Sequence, residues 1–189
     1  MKFILKIYQW VIAMPILIVL TVITALLTIF VSALGMSSTL GYYIPHIWAK
    51  FWCFLMFVKV EIRGRENIDK KTSYVFVANH QGAYDIFVIF GYLNHVFKWM
   101  MKKSLEKIPF VGMACKVSKN IMVDRSSAST IQKTMDSAME ILKDGISLVV
   151  FPEGSRTPDG KMKPFKRGAF MLATEFGLLQ SLGSDFHTD

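Results

Sequence analysis

Two patterns of apolar and polar positions divide the chain. From Ile7 to Ala49 no Asp, Glu, Lys or Arg interrupts the apolar residues, whereas from Lys59 onward short apolar and polar blocks alternate. The first pattern predicts two apolar helices over residues 2–58, broken at Gly35-Met36-Ser37-Ser38, where small and polar residues cluster. As a helix, Val11–Val31 rises roughly 31 Å, close to the thickness of a bilayer core. A soluble-core helix seldom stays apolar on every face for this length. A cleaved secretory signal is the rival, with Lys2 and Lys6 as its basic start and Val31-Ser32-Ala33 resembling a cleavage site. Its apolar stretch is too long for that role, and more apolar sequence follows. Tyr42, Tyr43, Trp48, Lys50 and Trp52 in the second segment are residue types that favour a membrane interface. A helical hairpin would return Lys2 and Lys6 to the same side as Lys59, Arg63 and Arg65, as the positive-inside tendency asks. A single span is the alternative.

The second pattern predicts strands over Val58–Ile62, Tyr74–Ala78, Phe97–Met101, Asn120–Val123 and Ser147–Phe151, and helices over Ile86–Leu93, Ser127–Lys143 and Lys166–Phe176. In the Ser127–Lys143 segment, Ile131, Met135, Ala138 and Leu142 recur at helical spacing, and Gly145 marks the stop. Gly177 is the expected stop of the last helix. Alternation of this kind predicts an α/β fold, a layered sheet with flanking helices, preceded by a two-helix membrane anchor. The expected division is residues 1–58 as the membrane-associated helical segment and 59–189 as the α/β domain.

Composition sharpens this picture. The 189 residues are 52% hydrophobic and carry a net charge of +8, and the mean hydropathy is +0.38. Basic charge outside an apolar anchor suits an anionic membrane face, phosphate-bearing substrates or an acidic carrier protein. No nucleic-acid-binding motif accompanies it. The two cysteines, Cys53 in an apolar segment and Cys115 in a loop-like one, indicate a reduced compartment and not a disulfide framework.

Candidate chemistry lies in two polar clusters, each at the end of a predicted strand. Asn79-His80-Gln81-Gly82-Ala83-Tyr84-Asp85 follows the first, and Pro152-Glu153-Gly154-Ser155-Arg156 follows the other. In open α/β sheets, ligands bind where strands end and loops begin. In a continuous helix His80 and Asp85 would sit roughly 140° apart around the axis, a poor arrangement for contact. Gly82 permits a turn between them, so that Asp85 can accept from one imidazole nitrogen and leave the other to take a proton. The plainer reading has Asp85 capping a helix and His80 as a loop residue. Zinc would need more ligands at characteristic spacing, and His46, His95 and His187 stand in unrelated settings. Neither a G-x-S-x-G elbow nor a Walker-type phosphate loop is present. Cys115 has no base beside it and reads as an incidental thiol.

Taken together, His80-x-x-x-x-Asp85 and Phe151-Pro152-Glu153-Gly154-Ser155-Arg156 closely resemble the first and third blocks of the glycerolipid acyltransferase family, and more narrowly its 1-acyl-sn-glycerol-3-phosphate acyltransferases. Val123-Asp124-Arg125 resembles the second block. Lys103-Ser104-Leu105, Ile108-Pro109-Phe110-Val111-Gly112 and Phe165-Lys166-Arg167-Gly168-Ala169 are similar to the connecting stretches. The likeness covers roughly Val58 to Gly177. It implies His80 as general base on a lysophospholipid hydroxyl, Asp85 as its orienting partner, and direct attack on an acyl thioester. It further implies that Arg125, Glu153, Gly154 and Arg156 bind the glycerol phosphate. Lys103 would be an additional phosphate or carrier contact; for Lys103 and Lys166 a solvated basic face is the alternative.

The implied partners are a lysophospholipid, acyl-CoA or acyl-carrier protein as co-substrate, and membrane lipids, with no resident cofactor or metal. The implied place is a bacterial inner membrane with the catalytic domain cytoplasmic. The family's fourth block, an apolar proline-containing strand, has no counterpart in Leu178–Asp189, so the resemblance implies a domain incomplete at its C-terminal end. Acylation of another glycerophospholipid, or an inactive membrane-associated relative, are the alternatives.

Overall fold

The computed structural model describes residues 2–36, 40–156 and 161–175. The expected helix stop at Gly177 and the segment Leu178–Asp189 lie outside the described residues, as do Ser37 and Ser38. The chain divides into two compact units. One takes the residues up to Val60 together with Ile86–Asn94 and Glu106–Ser118; the other takes Glu61–Asp85, His95–Leu105 and the chain from Lys119 onward.

In the first unit, α1 (Lys2–Tyr8), a π-helical turn (Gln9–Ala13) and α2 (Met14–Ala33) run on directly from one another. Phe3–Ala33, 31 residues, is the one helix among the described residues long and apolar enough to cross a membrane. Gly35, at φ +77°, breaks the chain where expected, because only a residue without Cβ enters that region at no steric cost. The second segment departs from the two-span expectation. Its helix α3 (Leu40–Leu55) has 16 residues, about 24 Å at helical rise. Tyr42, His46, Ala49 and Cys53 are buried along one face, so α3 is a packing helix. It packs on α2, and Trp48 Nε1 donates to Thr21 Oγ1 at 3.1 Å. The Trp52 ring stacks on Phe87 at 4.0 Å, on the α4 helix (Tyr84–Tyr92).

Two further sequence expectations are corrected in this unit. Val58–Ile62 forms no strand. The backbone turns at Phe57 (φ +57°), the Val58 amide caps α3 by donating to Cys53 O at 2.9 Å, and Val58 packs on Ala13 and Leu17. The loop-like reading of the segment around Cys115 also changes: Val111–Val117 is helix α5, packed on α2, and Cys115 lies within it. Burial pushes the Cys115 thiol up to about 11, which leaves it protonated at neutral pH and supports no nucleophilic role.

The second unit is built on a wholly parallel sheet of β1 (Val75–Val77), β2 (Phe97–Lys102), β3 (Ile121–Val123) and β4 (Ser147–Val150), in the order β1-β4-β2-β3. Parallel strands need long crossovers, which is why helix-forming and strand-forming segments alternate in the sequence. Register decides the faces. Leu148 pairs with Val75 and with Lys98, and Met100 pairs with Ile121. Val75, Leu148, Met100 and Ile121 meet Ala138 and Leu142 of α6 (Ala128–Lys143) and Leu172 of α7 (Gly168–Glu175) in one core. The opposite face bears Phe97, Trp99 and Val149, all buried. Because all strands run the same way, the segments after β1, β2, β3 and β4 leave the same end of the sheet, and these are the segments that carry the candidate site.

Candidate active site

The chain leaves β1 through Asn79 and His80, and Asp85 lies in the first turn of α4. His80 Nδ1 and Asp85 Oδ2 are 2.9 Å apart. The same carboxylate oxygen accepts the Gly82 amide at 2.9 Å, so the turn between the two residues is closed by the group that holds the imidazole. A carboxylate can only accept, which places the proton of a neutral His80 on Nδ1 and leaves Nε2 with its lone pair. The ring stacks on Phe151 at 4.0 Å. Phe151 in turn contacts Trp99 and Trp99 contacts Phe97, an aromatic row that ends on the histidine. The His80 and Asp85 side chains are 13% and 22% exposed. The pair is therefore shielded yet reachable.

Glu153 differs from its expected role. It is 4% exposed, and its two carboxylate oxygens accept backbone amides, Oε1 from His80 at 2.7 Å and Oε2 from Lys163 at 3.0 Å. A buried carboxylate that receives backbone N–H groups is a strut, and its charge disfavours a phosphate beside it. Glu153 ties the loop after β4 to the loop of the base. Lys103 differs also: its ammonium pairs with Asp124 Oδ2 at 2.7 Å. Asp124 accepts the Ser126 amide as well, at 2.9 Å. The Lys103 hydrogen bond, followed by those from Ser126, pulls the Asp124 pKa down to about 2. This contact joins the ends of β2 and β3 one residue before Arg125.

Gly154 sits in a turn at φ +72°, with its amide donating to Phe151 O at 3.0 Å. Two cations converge on its bare Cα. A Cβ there would come 2.7 Å from Lys166 Nζ and 3.6 Å from Arg125 Nη1. Arg125 and Arg156 are exposed. Arg156 offers its carbonyl to Lys163 Nζ at 3.0 Å. Neither guanidinium has a hydrogen-bond or ion-pair partner among the described residues. The arrangement thus brings His80, Asp85 and Glu153 into one hydrogen-bonded unit, and sets Gly154 and Arg125 beside Lys166.

Sequence reasoning missed the role of the 163–166 segment. Lys163 donates its amide to Glu153, and its ammonium to Ser155 Oγ at 2.9 Å and to Arg156 O. The Lys166 amide donates to Pro152 O at 3.1 Å. The only signal was the basic Phe165-Lys166-Arg167 stretch following the third block.

Comparison with known proteins follows the same lines. A family model described as Acyltransferase matches residues 59–180. The chain is 34% identical over 137 residues to a chloroplastic 1-acyl-sn-glycerol-3-phosphate acyltransferase of Brassica napus, covering 70% of this chain and 40% of that one. It is 35% identical over 136 residues to the 1-acyl-sn-glycerol-3-phosphate acyltransferase of Pseudomonas aeruginosa, covering 69% and 52%. The crystal structure of the 1-acyl-sn-glycerophosphate acyltransferase PlsC from Thermotoga maritima superposes with a TM-score of 0.71 at 29% identity, over 93% of this chain and 70% of that one. The chain spans about half or less of the length of the curated relatives it matches.

Proposed function

The chain belongs to the acyltransferase family, and from that premise we propose that it transfers a fatty acyl group from an acyl thioester to the free hydroxyl of 1-acyl-glycerol 3-phosphate, giving phosphatidic acid. The observation that carries this reading is the His80–Asp85 pair, held at 2.9 Å with Nε2 left to act as base. His80 Nε2 takes the hydroxyl proton as the oxygen attacks the thioester carbonyl. The C–S bond then breaks, and the proton is returned from the imidazolium to the departing sulfur. Asp85 stabilises the imidazolium between these steps. No acyl-enzyme forms and no resident cofactor takes part; the thioester, acyl-CoA or acyl-carrier protein, is a co-substrate. Arg125 and Arg156, exposed and without partners among the described residues, bind the acceptor phosphate as charge-assisted donors. The apolar N-terminal helix holds the enzyme at the membrane where its acceptor resides. The basic residues Lys59, Arg63 and Arg65 that follow the apolar region favour a cytoplasmic catalytic domain at a bacterial inner membrane.

The test is transfer of a radiolabelled acyl group from acyl-CoA or acyl-carrier protein to a panel of acceptors. The expected result is phosphatidic acid from 1-acyl-glycerol 3-phosphate. Label on glycerol 3-phosphate or on a lysolipid with a larger headgroup, in its place, would move the assignment to another acceptor. Transfer to none of them would leave a membrane-associated relative without this activity.

A further inference from the structure

Lys163 and Lys166 lie three residues apart in the segment that folds back on the loop after β4, and they meet different surroundings. The Lys163 ammonium is bonded to Ser155 Oγ and Arg156 O and so staples the loop. The Lys166 ammonium has no hydrogen-bond or ion-pair partner among the described residues, although its backbone is fixed by the Pro152 carbonyl. It lies over Gly154, and Arg125 Nη1 reaches the same place, 3.6 Å from where a Cβ would sit. Two cations that share one small space without an anion repel each other, and water screens this only in part. The repulsion registers on Lys166, whose pKa lies below the ordinary lysine value through desolvation first and then the charges of Arg125 and Lys163. The absence of a side chain at Gly154 is what leaves the space open: a Cβ would lie 2.7 Å from Lys166 Nζ, closer than any stable contact, and the ammonium would have to withdraw.

We propose that Lys166 is a substrate-binding residue which, with Arg125, holds the acceptor's phosphate over Gly154 and makes the enzyme select phosphorylated acceptors. This rests on the reading of the site as that of an acyltransferase with a phosphate-bearing acceptor. A phosphate monoester dianion relieves the repulsion between the two cations, while a neutral acylglycerol leaves it in place. Lys166 therefore contributes to discrimination as well as to affinity. Gly154 serves the same end by letting the two cations approach.

The experiment is calorimetric titration of the full-length detergent-solubilised protein with sn-glycerol 3-phosphate, paired with acyl-transfer kinetics on 1-acyl-glycerol 3-phosphate. Lys166→Gln should weaken glycerol 3-phosphate binding roughly ten- to a hundredfold, the worth of one charge-assisted hydrogen bond. It should raise the acceptor KM similarly, with the thioester KM unchanged. Lys166→Arg should recover binding to within a few-fold, and Lys143→Gln, an exposed lysine on α6, should match the parent. Glycerol 3-phosphate binding by Lys166→Gln equal to that of the parent overturns the proposal, as does a parent that binds no phosphate monoester. If the parent binds with the Lys166 dependence but acylates no acceptor, the reaction assignment fails and the anion site stands. If the parent makes phosphatidic acid and Lys166→Gln keeps its acceptor KM, the reaction assignment stands and the role of Lys166 falls.

Discussion

Three carboxylates and a histidine at the strand ends, Asp85, Asp124, Glu153 and His80, are each engaged in ways that predict what their replacement does. His80 has one nitrogen engaged by Asp85 and the other unengaged, so His80→Ala should reduce acyl transfer by about 10²- to 10⁴-fold, the usual worth of a general base, while the variant still sediments with membranes. Asp85→Asn should be comparably severe, because an amide can present its NH₂ and turn the imidazole to the wrong tautomer; near-parental turnover in either variant would remove the pair from the chemistry. Glu153 separates two roles that the sequence could not. As a strut it accepts two backbone amides, so Glu153→Gln sets an amide NH₂ against one of them. It should cost about 1–3 kcal/mol, seen as a melting temperature lower by several degrees together with reduced turnover. A phosphate-binding Glu153 would instead change acceptor KM and leave the melting curve alone. Asp124 provides a pH signature. Its pKa is depressed from 3.8 to about 2 by Lys103 and Ser126. The stabilisation from that contact is thus fully present above the ordinary carboxylate pKa and is lost as pH falls from about 4 through about 2. Carboxyl NMR should give a midpoint near 2 that moves toward 3.8 in Lys103→Met.

At the scale of elements, α6 shows local sequence and fold in agreement. Ser127 caps it, with Ser127 Oγ accepting the Thr130 amide at 3.2 Å and Thr130 Oγ1 accepting the Ser127 amide at 3.1 Å. Ser127→Ala should cost about 1 kcal/mol and lower the melting temperature by about 2–4 °C without changing acceptor selectivity; an unchanged melting temperature would mean that the helix start frays without consequence. The same agreement explains which elements were legible. The four paired strands and helices α4, α6 and α7 follow from apolar runs, helical spacing and, for α6, the stop at Gly145, all properties of neighbours in sequence. Val58–Ile62 misled because β-like composition says nothing of whether a partner strand exists, and here the Val58 amide is taken by the end of α3. Helix α5 was hidden because its seven residues are too few to display a helical repeat. Of the site, His80 and Asp85 were legible because a five-residue spacing with Gly82 between them limits what the turn can do. The contacts of Glu153, Lys103 and Lys166 were not legible, since each reaches a residue ten or more positions away, or the space left by a missing Cβ.

At the scale of the molecule, the proposed membrane attachment rests on the N-terminal helix. Only 17% of its most apolar stretch is buried, and Ile23 and Phe30 of α2 are 46% and 62% exposed. Outward apolar surface of this extent marks a face for a membrane or another apolar partner. Removing the helix is a blunt test, because α2 also packs on α3 and α5 and its loss would uncover them. Charge placed on the outward face is cleaner. A lysine near the centre of an inserted helix costs about 2.5–3.5 kcal/mol on the insertion scale, enough to shift the partition of the chain strongly, whereas in water it costs little. Ile23→Lys combined with Phe30→Lys should therefore move protein from the carbonate-resistant membrane pellet to the supernatant, with the His80–Asp85 chemistry still measurable on detergent-dispersed acceptor. Retention of the double variant in the pellet at the parental level would show that this face does not meet hydrocarbon. Accessibility of tags in intact cells then separates the two topologies. Tags at the N-terminus and after Lys59 are both protected if the chain re-emerges on the side it entered, and only one is protected if the apolar region ends on the opposite side.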